Sequence, residues 1–329
     1  MCTALTLSTK EGYHLFGRNM DLDDNFEQSV ILVPRGFNYT NIATGEAVRT
    51  NYAILGMGTI MDKHPMFAEA FNEKGLACAG LNFEGYADWE EDLAGDKINI
   101  APSDFILWIV SKFESLEQLR PVLADVWIVE KSLNEYTPIP TLHWIVTDKE
   151  GECLVIEKTE EGLRLFTNQV GVLTNSPTFD WHVTNLSRYL GLSTHQPKEI
   201  KWGEEQLKLL GVGAGAQGLP GDFLSTSRFV KAAFLRNNVK FGHDSHSAIV
   251  EFFRILNNVA MVRGSVVTGK QKYDITQYTS CMCLEKGIYY YTTYNNLQIN
   301  AIDMNKEDLD SSELKVFPYR DKLAIRYEN

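Results

Sequence analysis

The sequence is poor in cysteine and has no long hydrophobic run. Five cysteines, an odd number in a chain of 329 residues, argue against a disulfide framework, so we expect reduced thiols. Its apolar stretches, such as residues 105–110, are far shorter than the roughly 18 residues that a membrane-spanning helix needs. The first residues also lack the basic segment and the long apolar stretch of a signal peptide. We therefore expect a cytoplasmic protein that does not act at a membrane.

Positive charge is also scarce. The chain has 31 Lys and Arg residues against 43 Asp and Glu residues, which gives a formal net charge of −12. This balance disfavours a nucleic-acid partner, because binding to a phosphate backbone requires clustered Lys and Arg. The composition, 44% hydrophobic and 22% charged, is instead that of an ordinary globular protein.

Hydrophobic periodicity predicts blocks of strands and helices rather than a repeated βαβ unit. Residues 3–8 and 13–17 alternate like the two strands of a hairpin. Helical spacing is clearest at residues 104–113, after Ser115, and at residues 227–236 and 245–257, and three strands follow at 276–284, 287–293 and 298–302. Blocks segregated in this way favour an α+β fold in which two antiparallel sheets are covered by helices. No linker divides the chain, so we expect a single domain over residues 1–329.

Two patterns that resemble ligand sites are interpreted as structural. Residues 213–218 have the spacing G-x-G-x-x-G, but a turn sequence follows them where a nucleotide-binding fingerprint requires a helix. His243 and His246 lie in a polar loop before a predicted helix, and we expect no metal there. The sequence therefore predicts neither a cofactor nor a metal.

Cys2 is the residue with the clearest chemical meaning. A small residue at position 2 permits removal of Met1, which would leave a thiol and a free α-amine on the same residue. An α-amine has a reference pKa of about 7.7–8.0, suited to proton transfer near neutral pH, so the two groups form a nucleophile with its own base. Such a residue is typical of a cysteine amide hydrolase.

Arg18 and Asp21 follow one hairpin turn after Cys2, so the return strand is expected to carry them back toward it. A guanidinium there would favour the thiolate, and a carboxylate would stabilise the protonated amine. An exposed ion pair without a catalytic role explains the same two residues about equally well.

Ordered motifs along the whole chain resemble the choloylglycine hydrolases, a family of N-terminal nucleophile hydrolases. The motifs are Met1-Cys2-Thr3, residues 16–21, 72–76, 79–83 and 173–177, Leu219-Pro220-Gly221-Asp222, Ser227-Arg228-Phe229, Tyr278-Thr279-Ser280 and residues 287–291. The resemblance implies Cys2 as the nucleophile with Arg18 and Asp21 beside it, Asn82 and Asn175 at the oxyanion hole, and Arg228 as a further positive group. It also implies a four-layer αββα sandwich and a homotetramer.

The same resemblance implies a substrate, a bile salt conjugated through an amide to glycine or taurine. A steroid requires an apolar cleft, and five apolar residues near the motifs are candidates for lining it: Met20, Phe26, Met61, Phe67 and Leu133. Two alternatives remain open. One is a penicillin V acylase, which shares the nucleophile, and the other is a non-catalytic protein that binds bile acids.

Overall fold

The computed structural model describes residues 1–242 and 244–329, so the expectation for His243 falls outside the described residues. The strands are β1 (Cys2–Ser8), β2 (His14–Leu22), β3 (Ser29–Val33), β4 (Asn38–Thr40), β5 (Ala47–Arg49), β6 (Ile54–Met61), β7 (His64–Asn72), β8 (Ala77–Asn82), β9 (Ile98–Ile100), β10 (Val126–Ile128), β11 (Leu142–Thr147), β12 (Cys153–Thr159), β13 (Gly162–Thr167), β14 (Val172–Leu173), β15 (Ile200–Trp202), β16 (Glu205–Leu207), β17 (Ile275–Cys283), β18 (Ile288–Thr293), β19 (Asn300–Asp303) and β20 (Lys315–Phe317). The helices are α1 (Phe105–Lys112), α2 (Leu116–Val122), α3 (Phe179–Leu186), α4 (Ser225–Asn238) and α5 (Ser245–Asn257).

Two large antiparallel sheets form the centre of the molecule. The first has six strands in the order β14-β1-β2-β17-β18-β19, and the second has eight in the order β13-β12-β11-β8-β7-β6-β3-β20. Strands β1 and β2 of the first sheet lie against β8 of the second. Helices α4 and α5 pack on the outer face of the first sheet, and α1 packs on the outer face of the second. The predicted αββα sandwich is confirmed.

The predicted hairpin at the start of the chain is confirmed and is longer than expected. β1 and β2 pair in register from Cys2 opposite Met20 to Ser8 opposite His14. The helix predicted at 245–257 has those bounds in the structure, and Ser115 caps α2 by accepting a hydrogen bond from the backbone of Gln118. These segments carry strong local signals, so tertiary packing does not override them.

Two large hydrophobic clusters make up most of the interior. One lies between the sheets and extends to α4 and α5, and it contains Cys2 and Met20. The other lies between the second sheet and α1 and α2, around Trp144. Among the described residues no helix has the length and apolar character needed to cross a bilayer. The glycine-rich residues 213–218 form a turn with a short 3-10 helix, Ala214–Ala216, rather than the start of an α-helix.

Candidate active site

Cys2 is the first residue of β1 and is buried between the two sheets. Met20 lies directly opposite it on β2, and their sulfur atoms are 4.0 Å apart. Side chains alternate along a strand, so Arg18 shares the inward face with Met20. Its Nη2 donates a hydrogen bond to Sγ of Cys2. The hairpin thus places a guanidinium directly on the thiol.

The Arg18 side chain is fully buried and bridges the two sheets. Nη1 donates to the carbonyl oxygens of Gly80 at 2.5 Å and Ala68 at 3.2 Å, both on the second sheet. Burial by itself lowers the pKa of Arg18, but the surrounding Cys2, Tyr278, Glu69 and Asp21 raise that pKa overall. Arg18 is therefore a permanent cation held at the nucleophile, and the ion-pair alternative on the surface is excluded by its burial.

Asp21 lies on the opposite face of β2 from Arg18, because the two residues are three apart. Its Oδ1 accepts a hydrogen bond from the Thr276 hydroxyl at 2.6 Å, whereas its buried Oδ2 has no hydrogen-bond partner among the described residues. Burial raises the pKa of the Asp21 carboxyl, and Arg228 and the chain's ammonium group oppose that effect. The structure therefore places a carboxylate beside the start of the chain rather than beside the thiol.

The start of the chain itself is held by backbone and carboxylate contacts. Met1 is present, and its ammonium group donates to the carbonyl oxygen of Asp21 at 2.6 Å and to Oδ2 of Asp274 at 3.3 Å. The backbone N–H of Cys2 donates to Oδ1 of Asn175 at 2.7 Å. Removal of Met1 would make that nitrogen the α-amine, with the Asn175 side chain already in place as an acceptor.

Asn175 and Arg228 form the wall next to Cys2. Arg228 donates from Nη2 to Oδ1 of Asn175 at 2.7 Å and from Nη1 to the carbonyl oxygen of Cys2 at 2.5 Å. Nδ2 of Asn175 donates to the carbonyl oxygen of Asn82 at 2.8 Å. Burial lowers the pKa of Arg228, and the neighbouring Asp21 raises it. These contacts bring both predicted oxyanion residues to the same side of Cys2.

Asn82 is the last residue of β8 and is exposed, unlike the rest of that strand. Its Oδ1 accepts a hydrogen bond from the Thr141 hydroxyl at 2.9 Å, which fixes the orientation of the amide. The Nδ2 group donates to no described residue and is free to meet a ligand.

The five predicted pocket residues lie in three places. Met20 contacts Cys2, and Phe26 packs, half-buried, on the same cluster between the sheets. Met61, at the end of β6, and Leu133, in the loop between β10 and β11, are both half-buried. Sδ of Met61 accepts a hydrogen bond from Thr137 of that loop at 2.9 Å. Phe67 is not brought to Cys2, since it belongs to the cluster beneath α1 and α2.

Two buried histidines support Asn175 and were not predicted from the sequence. His143 contacts the carbonyl oxygen of Thr174 at 2.9 Å and Oε1 of Glu157 at 3.0 Å. His182 contacts the carbonyl oxygen of Asn175 at 2.8 Å. The only sequence signal was the presence of polar residues within otherwise apolar segments.

Glu69 is a third buried polar residue that was not predicted from the sequence. It is fully buried between the sheets, and its Oε2 lies 3.8 Å from Nε of Arg18. Its position in the apolar segment Phe67-Ala68-Glu69-Ala70-Phe71 marks it as an unusual charge in a core strand. Among the described residues, no group of three His, Cys, Asp or Glu side chains is arranged to hold a metal ion.

Comparison with known proteins identifies the relatives of this chain. The model of the choloylglycine hydrolase family, described as linear amide C–N hydrolases, matches residues 2–317. A bile salt hydrolase/transferase of Clostridium perfringens is 52% identical over 330 residues, which cover 100% of both chains. The crystal structure of a mutant conjugated bile acid hydrolase from the same organism matches with a TM-score of 0.95 at 52% identity, over 100% of both chains.

A more distant likeness concerns the fold alone. The penicillin V acylase of Agrobacterium tumefaciens matches with a TM-score of 0.77 at 20% identity, over 96% of this chain and 90% of that chain. The family model and the full-length relative both agree with the resemblance carried by the sequence motifs. The chain belongs to the choloylglycine hydrolase family of linear amide C–N hydrolases.

Proposed function

We propose that this protein hydrolyses the amide bond of bile salts conjugated to glycine or taurine, using Cys2 as the nucleophile after removal of Met1. The observation that carries the proposal is the Arg18 guanidinium on Sγ of Cys2, together with Asn175 at the nitrogen of the same residue. The substrate class is supported by the full-length relative from Clostridium perfringens, which is named a bile salt hydrolase/transferase.

The first half of the reaction forms a thioester. The thiolate of Cys2 attacks the amide carbon, and the carbonyl oxygen becomes an oxyanion. We assign its stabilisation to Asn82 and Asn175, which lie on one side of Cys2. The C–N bond then breaks as the α-ammonium of Cys2 gives a proton to the leaving amine, which departs as glycine or taurine.

The second half releases the bile acid. The α-amine, now neutral, takes a proton from water, and the resulting hydroxide attacks the thioester carbon. The C–S bond breaks, the free acid leaves, and the thiolate and the ammonium are restored. We assign to Asp21 the task of stabilising the ammonium, since its buried Oδ2 lacks a hydrogen-bond partner among the described residues while Met1 is present.

Arg228 is proposed to orient the nucleophilic residue and an oxyanion donor together. It contacts both the Cys2 carbonyl and the Asn175 side chain, so one guanidinium fixes their relative position.

The proposed steroid pocket consists of Met20, Phe26, Met61 and Leu133, without Phe67. The partial exposure of Phe26, Met61 and Leu133 and the contact of the buried Met20 with the thiol support this assignment.

The test is a direct comparison of substrates. The purified protein, with removal of Met1 verified by intact mass, is incubated with glycocholate, taurocholate and penicillin V, and the released amine is measured. We expect hydrolysis of the conjugated bile salts, abolished by Cys2→Ala and retained in Cys78→Ala, whose thiol is buried in the other cluster. Preference for penicillin V, or full activity with Met1 still attached, would contradict the proposal.

We also propose that the chain is one domain that assembles into a homotetramer. The family match across residues 2–317 supports one domain. The segment between α3 and α4 supports association, because it exposes large apolar side chains. These include Leu190 at 87%, Trp202 at 71% and Val212 at 97% exposure. Light scattering should give four times the chain mass, and Val212→Ser should weaken the assembly whereas Leu323→Ser, on the exposed C-terminal segment, should not. A monomeric wild type would refute this.

A cytoplasmic location is proposed on the basis of the five free thiols. All five cysteines are unpaired and buried. Such thiols are typical of a reducing compartment. Fractionation of the source cells should recover the protein with cytoplasmic markers, and recovery from the extracellular fraction would contradict the assignment.

A further inference from the structure

The carboxylate of Glu69 is buried beside Arg18, and the reaction above does not use it. Glu69 projects from β7 into the space between the sheets and is completely inaccessible. Its Oε2 lies 3.8 Å from Nε of Arg18, while Nη2 of the same guanidinium contacts Sγ of Cys2. The Arg18 guanidinium therefore contacts the Cys2 thiol and also lies beside the Glu69 carboxylate.

Both oxygens of Glu69 accept hydrogen bonds from the facing sheet. The hydroxyl of Tyr278 donates to Oε2 at 2.8 Å, and that of Tyr289 donates to Oε1 at 2.5 Å. The Ser280 side chain is a third hydrogen-bond partner of Glu69. Donors on both oxygens suit an ionised carboxylate. Burial raises the pKa of Glu69, and Arg18 opposes this effect most strongly, followed by the hydroxyls of Tyr289 and Tyr278. The tyrosines and the guanidinium together stabilise its charge.

The strand is also irregular where it meets Arg18. Met57 pairs with Glu69 and Gly58 pairs with Phe67, so Ala68 is an extra residue in the β6–β7 ladder. Its carbonyl oxygen accepts from Arg18 instead. A bulge re-aims the groups beside it, and here it presents both the Ala68 carbonyl and the Glu69 carboxylate to one guanidinium.

We propose that Glu69 is a positioning residue that acts through Arg18 and offsets part of the positive charge that Arg18 presents to the Cys2 thiol. Without this offset the guanidinium would stabilise the thiolate more strongly. A more stable thiolate is a weaker nucleophile, because nucleophilicity falls with basicity. Glu69 thus keeps the thiolate reactive, and it does so without access to any substrate.

Other charged or titratable groups near these three residues are common to all the variants below. Asp21 acts on Arg18 from the other face of β2, Arg228 of α4 lies near Cys2, and Tyr319 lies near Glu69. Asp274 lies before β17, beside the α-amine of the chain. The proposal depends on the role of Cys2 in the proposed function, but its test needs no bile salt.

The test measures the rate of alkylation of Cys2 by iodoacetamide as a function of pH, in protein lacking Met1, with mass spectrometry of the N-terminal peptide. In Glu69→Gln we expect the midpoint of the rate curve to move to lower pH by about one to two units, the effect of losing a unit charge roughly 6–12 Å away at an effective dielectric constant near 20. The plateau rate at high pH should fall roughly three- to tenfold, since the Brønsted coefficient is about 0.4–0.5.

A purely structural role for Glu69 gives the opposite sign. If Glu69 only holds Arg18 in place, its loss releases the guanidinium and moves the midpoint to higher pH. An unchanged curve, or a curve moved to higher pH, overturns the proposal. Absence of bile-salt hydrolysis by the wild type, together with the expected alkylation shift in Glu69→Gln, would refute the proposed function alone.

A second variant covers the case in which Glu69→Gln does not fold. Tyr289→Phe removes one of the donors that stabilise the negative charge of Glu69, so less of that charge opposes Arg18, and the midpoint should move to lower pH, as in Glu69→Gln. Tyr291→Phe is the matched control, because Tyr291 is buried two residues along the same strand and its hydroxyl contacts the Pro318 carbonyl instead. Coinciding curves for Tyr289→Phe and Tyr291→Phe would overturn the proposal.

Discussion

His182 should make the protein lose stability in weak acid. The side chain lies on α3 with no solvent exposure, and its ring stacks on Phe229 with centroids 4.7 Å apart. Nε2 contacts the Asn175 carbonyl at 2.8 Å, and a neutral ring donates there. Burial lowers the pKa of His182 from its ordinary 6.5 to about 4, against the opposing effect of that carbonyl.

The sign follows from proton uptake. The unfolded chain protonates this histidine below pH 6.5, whereas the folded protein resists protonation until about pH 4. The contribution to stability is therefore complete above pH 6.5 and is lost as the pH falls through that window. A pKa difference of this size corresponds to about 3 kcal/mol of unfolding free energy between the two limits.

The assay is urea unfolding of the wild type and of His182→Gln between pH 7 and pH 4. Gln does not titrate, so the gap in unfolding free energy between the two proteins should narrow by up to about 3 kcal/mol as the pH falls. The exposed His195→Gln should follow the wild type throughout. Parallel curves for the wild type and His182→Gln would refute the reasoning.

Three further predictions concern the site and its frame. Asn175→Ala should lower kcat for glycocholate by about 10²–10³, the usual cost of one oxyanion donor, in steady-state assays of folded protein. Arg228→Lys, which cannot keep both guanidinium contacts, should lower kcat by at least about tenfold, and unchanged kcat would argue against an orienting role. Gly17→Ala should reduce unfolding free energy by about 1–3 kcal/mol or more, since its Cβ would lie 2.1 Å from the Ser280 oxygen, whereas Gly95→Ala, in open space, should have little effect in denaturant titration.

Local periodicity was sufficient for the hairpin and for α5, but not for α3. Helix α3 is only eight residues long and was missed, because Trp181 and Val183 on its outer surface are exposed and weaken the amphipathic pattern. It nevertheless carries His182, which contacts the segment of Asn175. Long-range contacts of this kind have no counterpart in a single sequence.

The alternation of side chains along β2 follows from the sequence, and it shows that Arg18 and Asp21 cannot act on the same group of Cys2. Residues three apart in a strand face opposite sides, so the two could not both lie beside the thiol. Which side faced the second sheet depended on the pairing with β7 and β8. Glu69 was equally hidden, because a charge in an apolar strand gives no indication of the cation that it meets across the sandwich.

The two faces of β2 separate the two chemical tasks of Cys2. Its side chain shares the inward face with Arg18, in a dry interior where an adjacent cation acts strongly on the thiol. Its backbone nitrogen lies at the end of the strand and donates a hydrogen bond to Asn175. The carboxylate of Asp21, on the other face of β2, lies near the start of the chain. Nucleophile and base belong to one residue, yet each has its own electrostatic environment. A substitution at Arg18 should therefore alter thiol reactivity, whereas one at Asp21 should alter proton transfer.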